Sequence, residues 1–168
     1  MPSSAENKEA VRQPDSCVVI RRMEKRDLPG VADLEKQIFA DPWSRDGFEK
    51  ALAMESNIYL CAVLAKHGEE ILGYCGMYAS PGEGEIVNVA VRPDCRRRGI
   101  ACRLLTALLE TGRQSGVERF ILEVRAGNVG AIRLYEQLGF EPLGVRKGFY
   151  EHPREDAVIM AYGERVNE

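Results

Sequence analysis

The sequence has few of the residues that build metal centres, disulfide frameworks or membrane spans. Its 168 residues include two histidines, His67 and His152, and neither stands beside a cysteine pair. The five cysteines form no CxxC pair and are odd in number, which predicts free thiols in a cytosolic protein without a metal site. No run approaches the roughly 18 apolar residues of a membrane-spanning helix, and the N-terminus lacks an apolar signal core.

The chain also has no large excess of positive or negative charge. The net charge of −3 argues against general binding to nucleic acid or to a membrane surface, so a basic site must be local. The chain contains neither the GxxxxGK[ST] phosphate loop nor the GxGxxG dinucleotide fingerprint. Its 45% hydrophobic and 29% charged residues are typical of a globular protein, and its length predicts one domain.

The chain divides into a polar arm and a folded domain. Residues 1–16 show no periodicity and predict a disordered arm, whereas residues 17–164 alternate between strand and helix patterns. The predicted order is strand, two helices, three strands, helix, strand, helix and two strands, which makes a mixed α/β sheet. The run 86–91 is apolar at nearly every position and predicts a central strand buried on both faces.

Glycine and proline mark the ends of the predicted elements. Turns are predicted at 66–70, 81–84 and 151–154. A helix is predicted from Arg98 to Gln114, with Gly116 as its stop.

A basic turn, 96–101, joins the apolar strand to this helix. The first N–H groups of a helix have no internal partner, and the helix dipole adds positive potential there. A phosphate group fits such a place, and Gly99 allows close backbone approach. The alternative is a charged loop whose arginines are simply solvated.

Glu123 lies within a strand-like run whose alternation places Ile121, Glu123 and Arg125 on one face. An unpaired carboxylate is costly to bury in a central strand. Glu123 therefore either faces a cleft or forms a salt bridge, with Arg125 or with a residue of a neighbouring strand.

The segment 128–140 predicts a short helix. Tyr135 shares an apolar stripe with Ala131, Ile132 and Leu138, so a core tyrosine is its ordinary interpretation. Asn128 is ordinarily an N-cap at such a position.

Together these segments resemble the GNAT superfamily of acetyl-CoA-dependent N-acetyltransferases. Arg96, Gly99 and Ala101 match its [Q/R]xxGx[G/A] motif, and Asn88 to Pro93 looks like its cofactor strand. Within the superfamily, four segments are similar to the RimI branch: Asp41 to Ser44, Leu122 to Arg125, Asn128 to Phe140, and Arg154 to Met160. The resemblance covers residues 17–162.

The resemblance implies a single-domain GNAT fold, a mixed and mostly antiparallel sheet of about seven strands flanked by about four helices. It also implies direct acetyl transfer from acetyl-CoA to an amine in a ternary complex. In the RimI branch that amine is the N-terminal alanine of a small-subunit ribosomal protein. We therefore expect a cytoplasmic monomer that acts on a protein N-terminus and binds neither nucleic acid nor membrane.

The resemblance also assigns roles to residues. Glu123 would be the general base and Tyr135 the general acid. The backbone N–H of Val89 would stabilise the oxyanion. The remaining cofactor contacts would be Ala90, Val91, Arg96, Arg97, Arg98, Gly99, Ile100, Ala101, Cys102 and Asn128.

The chain departs from the branch at Phe149, where a tyrosine is usual, so one hydroxyl is missing from the peptide-gripping region. Two other functions stay open from the sequence. One is a GNAT enzyme that acetylates a small-molecule amine, and the other is a non-catalytic acyl-CoA-binding protein.

Overall fold

The structure, a computed structural model, describes residues 17–65 and 69–164. The predicted arm 1–16 and most of the predicted turn 66–70 lie outside the described residues. The described residues form seven strands and four α-helices in the predicted order, which confirms the α/β fold class. These elements are β1 (Val18–Arg22), α1 (Leu28–Ile38), α2 (Arg45–Leu52), β2 (Asn57–Leu64), β3 (Glu70–Ser80), β4 (Gly82–Val91), α3 (Ile100–Gln114), β5 (Val117–Arg125), α4 (Val129–Gln137), β6 (Glu141–Glu151) and β7 (Arg154–Tyr162).

All seven strands belong to one sheet, in the order β1-β2-β3-β4-β5-β7-β6. Strands β4 and β5 run parallel, and every other neighbouring pair is antiparallel. A parallel pair needs a long crossover, and helix α3 supplies it. The sheet is therefore mixed and mostly antiparallel, as predicted.

Two apolar clusters cover the faces of the sheet. One cluster brings Leu104, Leu105 and Leu108 of α3 together with Tyr135 of α4. The other brings Leu28 and Val31 of α1 together with Phe48 of α2. Each helix thus buries its apolar stripe against the sheet, which is how an amphipathic helix gains most of its stability.

The helix boundaries follow local backbone chemistry. Helix α3 begins at Ile100 and not at the predicted Arg98, because Gly99 has a left-handed backbone with φ of 75°. Gly116, with φ of 89°, follows the end of the helix as predicted. Asn128 caps α4, since its Oδ1 accepts a hydrogen bond from the Ala131 N–H at 3.2 Å.

Strand β4 is central, as predicted, but it is not buried on both faces along its whole length. Val87, Asn88 and Val89 are only half-buried, because they line a cavity. The strand also begins earlier than expected: Gly82 already lies opposite Val117 of β5, so the predicted turn 81–84 is shorter. The turn before β7 is shorter too, since β6 ends at Glu151 and β7 begins at Arg154.

The parallel strands β4 and β5 separate halfway along their length. Their pairing ends where Ile86 lies opposite Leu122. At the same point β4 has a bulge on its other side: Met77 faces Ile86, but Gly76 faces Asn88, which leaves Val87 as the extra residue. The bulge lies within the strand that the sequence assigned to the cofactor, and a wedge opens beyond it.

A buried ion pair stabilises the segment between β1 and α1. Asp27 is 5% exposed, and its carboxylate accepts hydrogen bonds from Arg21 at 2.7 and 2.8 Å and from the Glu24 N–H at 2.7 Å. Burial by itself would raise the pKa of Asp27, but these donors outweigh it, and the pKa lies below its ordinary value. The charged carboxylate therefore stabilises the folded state.

We predict that Asp27→Asn lowers the free energy of unfolding by roughly 2 kcal/mol at pH 7, because Arg21 loses the nearer of its two charged partners. A depressed pKa stabilises the fold above about pH 4, the unfolded value, and this contribution is lost as the pH falls further. Urea unfolding of both proteins at pH 7 and pH 3 measures the difference. A gap of the same size at both pH values contradicts the assignment, and Asp46→Asn, an exposed site, is the control.

Candidate active site

The wedge between β4 and β5 opens into a cavity of about 910 Å³. The basic turn, the start of α3 and the start of α4 form one wall of the cavity. The opposite wall consists of the end of α1, the loop after it and the β6–β7 turn. All of the predicted site residues line this cavity except Arg98. Those that do are Val89, Ala90, Val91, Arg96, Arg97, Gly99, Ile100, Ala101, Cys102, Glu123, Asn128 and Tyr135.

The basic turn presents backbone donors to the cavity. No side chain caps the N-terminus of α3, whereas Ser44 caps α2 and Asn128 caps α4. The first N–H groups of this 15-residue helix are therefore available to an anion. A Cβ built on Gly99 would meet no atom within 4 Å, so the space in front of the turn is open.

The arginines of the turn have different roles. Arg96 donates from Nε to the Val91 carbonyl at 3.3 Å, which holds the turn against the end of β4. Arg97 lines the cavity and has a left-handed backbone with φ of 62°. Arg98 is exposed and does not line the cavity. The turn therefore offers two arginines to a ligand and a third to solvent.

The separated strands also leave backbone groups free. Beyond Ile86, β4 pairs with β3 and β5 pairs with β7, so within the described residues their inner edges have no strand partner. Backbone N–H and C=O groups need hydrogen bonds. An extended ligand could add to the inner edge of β4 like another strand.

Glu123 fulfils both predicted alternatives. Its side chain is 21% exposed and lines the cavity, and its Oε1 lies 3.5 Å from the Nε of Arg146 on β6. Arg146 is 58% exposed, so the ion pair is weak and leaves the carboxylate accessible. Arg125, the other predicted partner, pairs instead with Glu155.

Tyr135 is both a core residue and a cavity residue. Its ring lies edge-on to Phe140, with centroids 5.8 Å apart. Burial raises the pKa of Tyr135, and the nearby Tyr150 and Cys75 raise it further. The phenol therefore stays protonated at neutral pH and can donate a proton or a hydrogen bond.

The cavity lining also contains polar residues that were not among the predicted site residues, including Tyr150, Asn88 and Glu35. Tyr150 is half-buried, and the Arg125 guanidinium lies 4.2 Å from its ring centroid. Asn88 lies in the bulged part of β4, and Glu35 lines the opposite wall from α1. A signal for Glu35 exists in the sequence, because an acidic residue stands on the apolar stripe between Val31 and Ile38.

Within the opposite wall, one polar contact joins the loop after α1 to the β6–β7 turn. His152 in the β6–β7 turn lies 2.9 Å from Asp41 in the loop after α1, measured from Nδ1 to Oδ2. Both side chains are exposed, so the contact is weak, but it bridges two segments that are otherwise on separate elements.

The remaining features bear on cysteines, metals and membranes. The five cysteines are free thiols. In the part of the chain that the structure describes, no group of three or more His, Cys, Asp and Glu side chains is arranged to hold a metal ion. No helix of that part is long and apolar enough to cross a membrane.

Comparison with known proteins gives consistent matches. The family model "Acetyltransferase (GNAT) family" matches residues 28–140. The ribosomal protein bS18-alanine N-acetyltransferase of Escherichia coli K12 is 35% identical over 144 residues, covering 84% of this chain and 95% of the relative. The N-alpha-acetyltransferase RimI of Mycobacterium tuberculosis is 36% identical over 149 residues, covering 85% of this chain and 90% of the relative.

A solved structure agrees with these relatives. The crystal structure of the ribosomal-protein-S18-alanine N-acetyltransferase from Escherichia coli has a TM-score of 0.79 at 32% identity, covering 90% of this chain and 96% of that one. The family model by itself spans the chain from α1 to α4, which includes the basic turn, Glu123 and Tyr135. The chain therefore belongs to the acetyltransferase (GNAT) family and is an acetyl-CoA-dependent N-acetyltransferase.

Proposed function

We propose that this enzyme acetylates the N-terminal α-amine of a protein, specifically the N-terminal alanine of a small-subunit ribosomal protein. The observation that carries the proposal is one cavity lined by an uncapped helix N-terminus, a carboxylate and a buried phenol. The relatives named for this reaction support the choice of acceptor. A ribosomal acceptor places the reaction in the cytoplasm, and we expect the enzyme to act as a monomer.

The residues around the basic turn fit acetyl-CoA. The pyrophosphate would accept hydrogen bonds from the N–H groups at the start of α3, while Arg96 and Arg97 balance its charge. The pantetheine arm would lie along the free inner edge of β4 at 89–91. Asn128 uses its Oδ1 as a cap, which leaves its amide N–H₂ for the cofactor. Arg98, although predicted here, would contribute only long-range charge.

The reaction needs three proton transfers. An N-terminal ammonium with a pKa near 8 must first lose a proton to become a nucleophile, and Glu123 would accept it. The amine nitrogen then attacks the thioester carbonyl carbon, so that a C–N bond forms, and the nitrogen loses a second proton to solvent. As the C–S bond breaks, Tyr135 would protonate the leaving sulfur and regain a proton from solvent, and the Val89 N–H would stabilise the oxyanion.

Two peptides that differ only in whether the N-terminal amine is free test which amine the enzyme acetylates. We expect turnover with an alanine-initiated peptide that contains one internal lysine, and none with the same peptide after its N-terminus is blocked. Release of free thiol from acetyl-CoA measures both reactions. Equal rates for the blocked peptide, or turnover restricted to small amines such as polyamines, would reject the N-terminal assignment.

Glu123→Gln should lower kcat by about 10²–10⁴-fold, because the base is lost, while acetyl-CoA affinity stays within about twofold. Steady-state kinetics and calorimetry measure the two quantities. Glu118→Gln, on the same strand but exposed outside the cavity, is the matched control. Normal turnover by Glu123→Gln across the whole pH range would remove Glu123 from the mechanism.

Tyr135→Phe should slow thiol release by about 10²-fold or more, since the leaving sulfur loses its proton donor. Single-turnover thiol detection measures this step directly. Tyr162→Phe removes a hydroxyl from an aromatic residue outside the cavity and should release thiol at the wild-type rate. An unchanged rate for Tyr135→Phe would exclude it as the acid.

Gly99→Val should weaken acetyl-CoA binding by about 10²-fold or more, because a side chain would fill the open space before the α3 N-terminus. Gly116→Val is a matched control: Gly116 also has a left-handed backbone and open space, but it lies at the far end of α3. Both changes place a β-branched residue at a positive φ, 75° at Gly99 and 89° at Gly116. If calorimetric titration finds the same acetyl-CoA affinity for the two variants, the turn at Gly99 does not bind the pyrophosphate.

A further inference from the structure

Glu35 is a buried carboxylate that the proposed chemistry does not use. Asp27 and Glu35 are the two charged residues buried within the described part of the chain. Asp27 has Arg21 as its partner, but Glu35 forms no salt bridge with any described residue. It is 2% exposed, and it lines the wall of the cavity opposite the basic turn. A buried carboxylate without a cation is costly, so its contacts are informative.

Two donors hold the Glu35 carboxylate. The Tyr74 hydroxyl donates to Oε2, and the Trp43 backbone N–H donates to Oε1 at 3.2 Å. Tyr74 belongs to β3 and is fully buried, whereas Trp43 belongs to the loop between α1 and α2. Glu35 therefore ties this loop to the sheet.

The tied loop forms part of the cavity. Phe39, Ala40, Asp41 and Trp43 all line it. The Trp43 ring packs on Phe48, with centroids 5.4 Å apart, and the Ser44 side chain caps the next helix. The apolar contact fixes the ring, and the hydrogen bond to Glu35 fixes the backbone beside it.

The tie continues to the bulged strand. Tyr74 lies opposite Ala90 in the pairing of β3 with β4, and the Tyr59 hydroxyl donates a hydrogen bond to Asn88 Oδ1 at 3.5 Å. Ala90 follows Val89, whose N–H is the proposed oxyanion donor. The hydrogen bond from Tyr74 to Glu35 and the strand pairing of Tyr74 thus connect the α1–α2 loop to the reacting end of β4.

We propose that Glu35 is a positioning residue for the acceptor, which sets the α1–α2 loop, through Trp43, at a fixed distance from the reacting end of β4. This inference rests on the proposed function. The ligand of this wall is the extended first residues of the acceptor polypeptide. Glu35 itself transfers no proton; it holds a backbone against which the acceptor lies.

Glu35→Leu tests the inference because it removes both hydrogen-bond acceptors at similar volume. We expect the KM for an alanine-initiated peptide to rise about tenfold, while kcat at saturating peptide and the Kd of acetyl-CoA change by less than about twofold. Asp27→Asn is the matched control, a buried carboxylate beside the same helix but outside the cavity, and it should leave the peptide KM unchanged. An unchanged KM in Glu35→Leu overturns the inference.

Glu35→Gln distinguishes the hydrogen-bonding role of this side chain from the effect of its negative charge. Its side-chain carbonyl can still accept from the Trp43 N–H, so we expect most of the peptide affinity to return. If Glu35→Gln is as impaired as Glu35→Leu, the negative charge is what matters and the positioning role is wrong. Tyr74→Phe removes the donor at the other end of the tie and should raise the KM by a smaller factor.

The single tryptophan gives a readout that needs no substrate. Trp43 emission reports on the loop alone, so acrylamide quenching should increase about twofold in Glu35→Leu and stay unchanged in Asp27→Asn. Wild-type inactivity toward every N-terminal peptide would refute the proposed function, whereas unchanged Trp43 quenching in Glu35→Leu would refute the positioning role by itself.

Discussion

The separation of β4 from β5 is the constraint on which the rest of the structure depends. A seven-stranded sheet would ordinarily pair all of its interior strands, yet here two parallel neighbours part after Ile86 and Leu122. The bulge at Val87 turns β4 away, and antiparallel partners on the outer sides keep both strands in the sheet. The result is an interior edge with free backbone groups, which is costly unless a ligand pairs with it. Helix α3 starts at one end of this opening, and the α1–α2 loop borders its opposite side.

The two proposed catalytic side chains lie in different environments, which suit one to act as a base and the other as an acid. Glu123 stands on a strand edge beside Arg146, a partner that is largely in solvent. Tyr135 is packed in the apolar cluster beneath α3, where burial keeps its phenol protonated. Different environments for neighbouring titratable groups are a common basis for dividing acid and base roles. Here the difference originates in the fold, because β5 borders the wedge while α4 covers the core.

Local patterns in the sequence predicted the order of elements and the central place of β4, and all but one of the site residues that the family resemblance assigned line the cavity. Arg98 was the exception, because the sequence alone did not reveal that Gly99 takes a left-handed backbone and starts the helix two residues later. Other features depend on residues far apart in the chain. Tyr74 reaches Glu35 across 39 positions, and Arg146 comes to Glu123 from a strand that is not its neighbour. No periodicity encodes such pairings, which arise only when the sheet forms.

The contact between His152 and Asp41 has a consequence for the cavity wall opposite the basic turn. It joins the loop after α1 to the β6–β7 turn through two exposed side chains. Breaking such a contact costs little, since an exposed ion pair contributes at most about 1 kcal/mol. The two segments can therefore separate without disturbing the buried contacts that hold the sheet. The width of this wall thus depends on a weak surface contact, while the wedge between β4 and β5 keeps its shape.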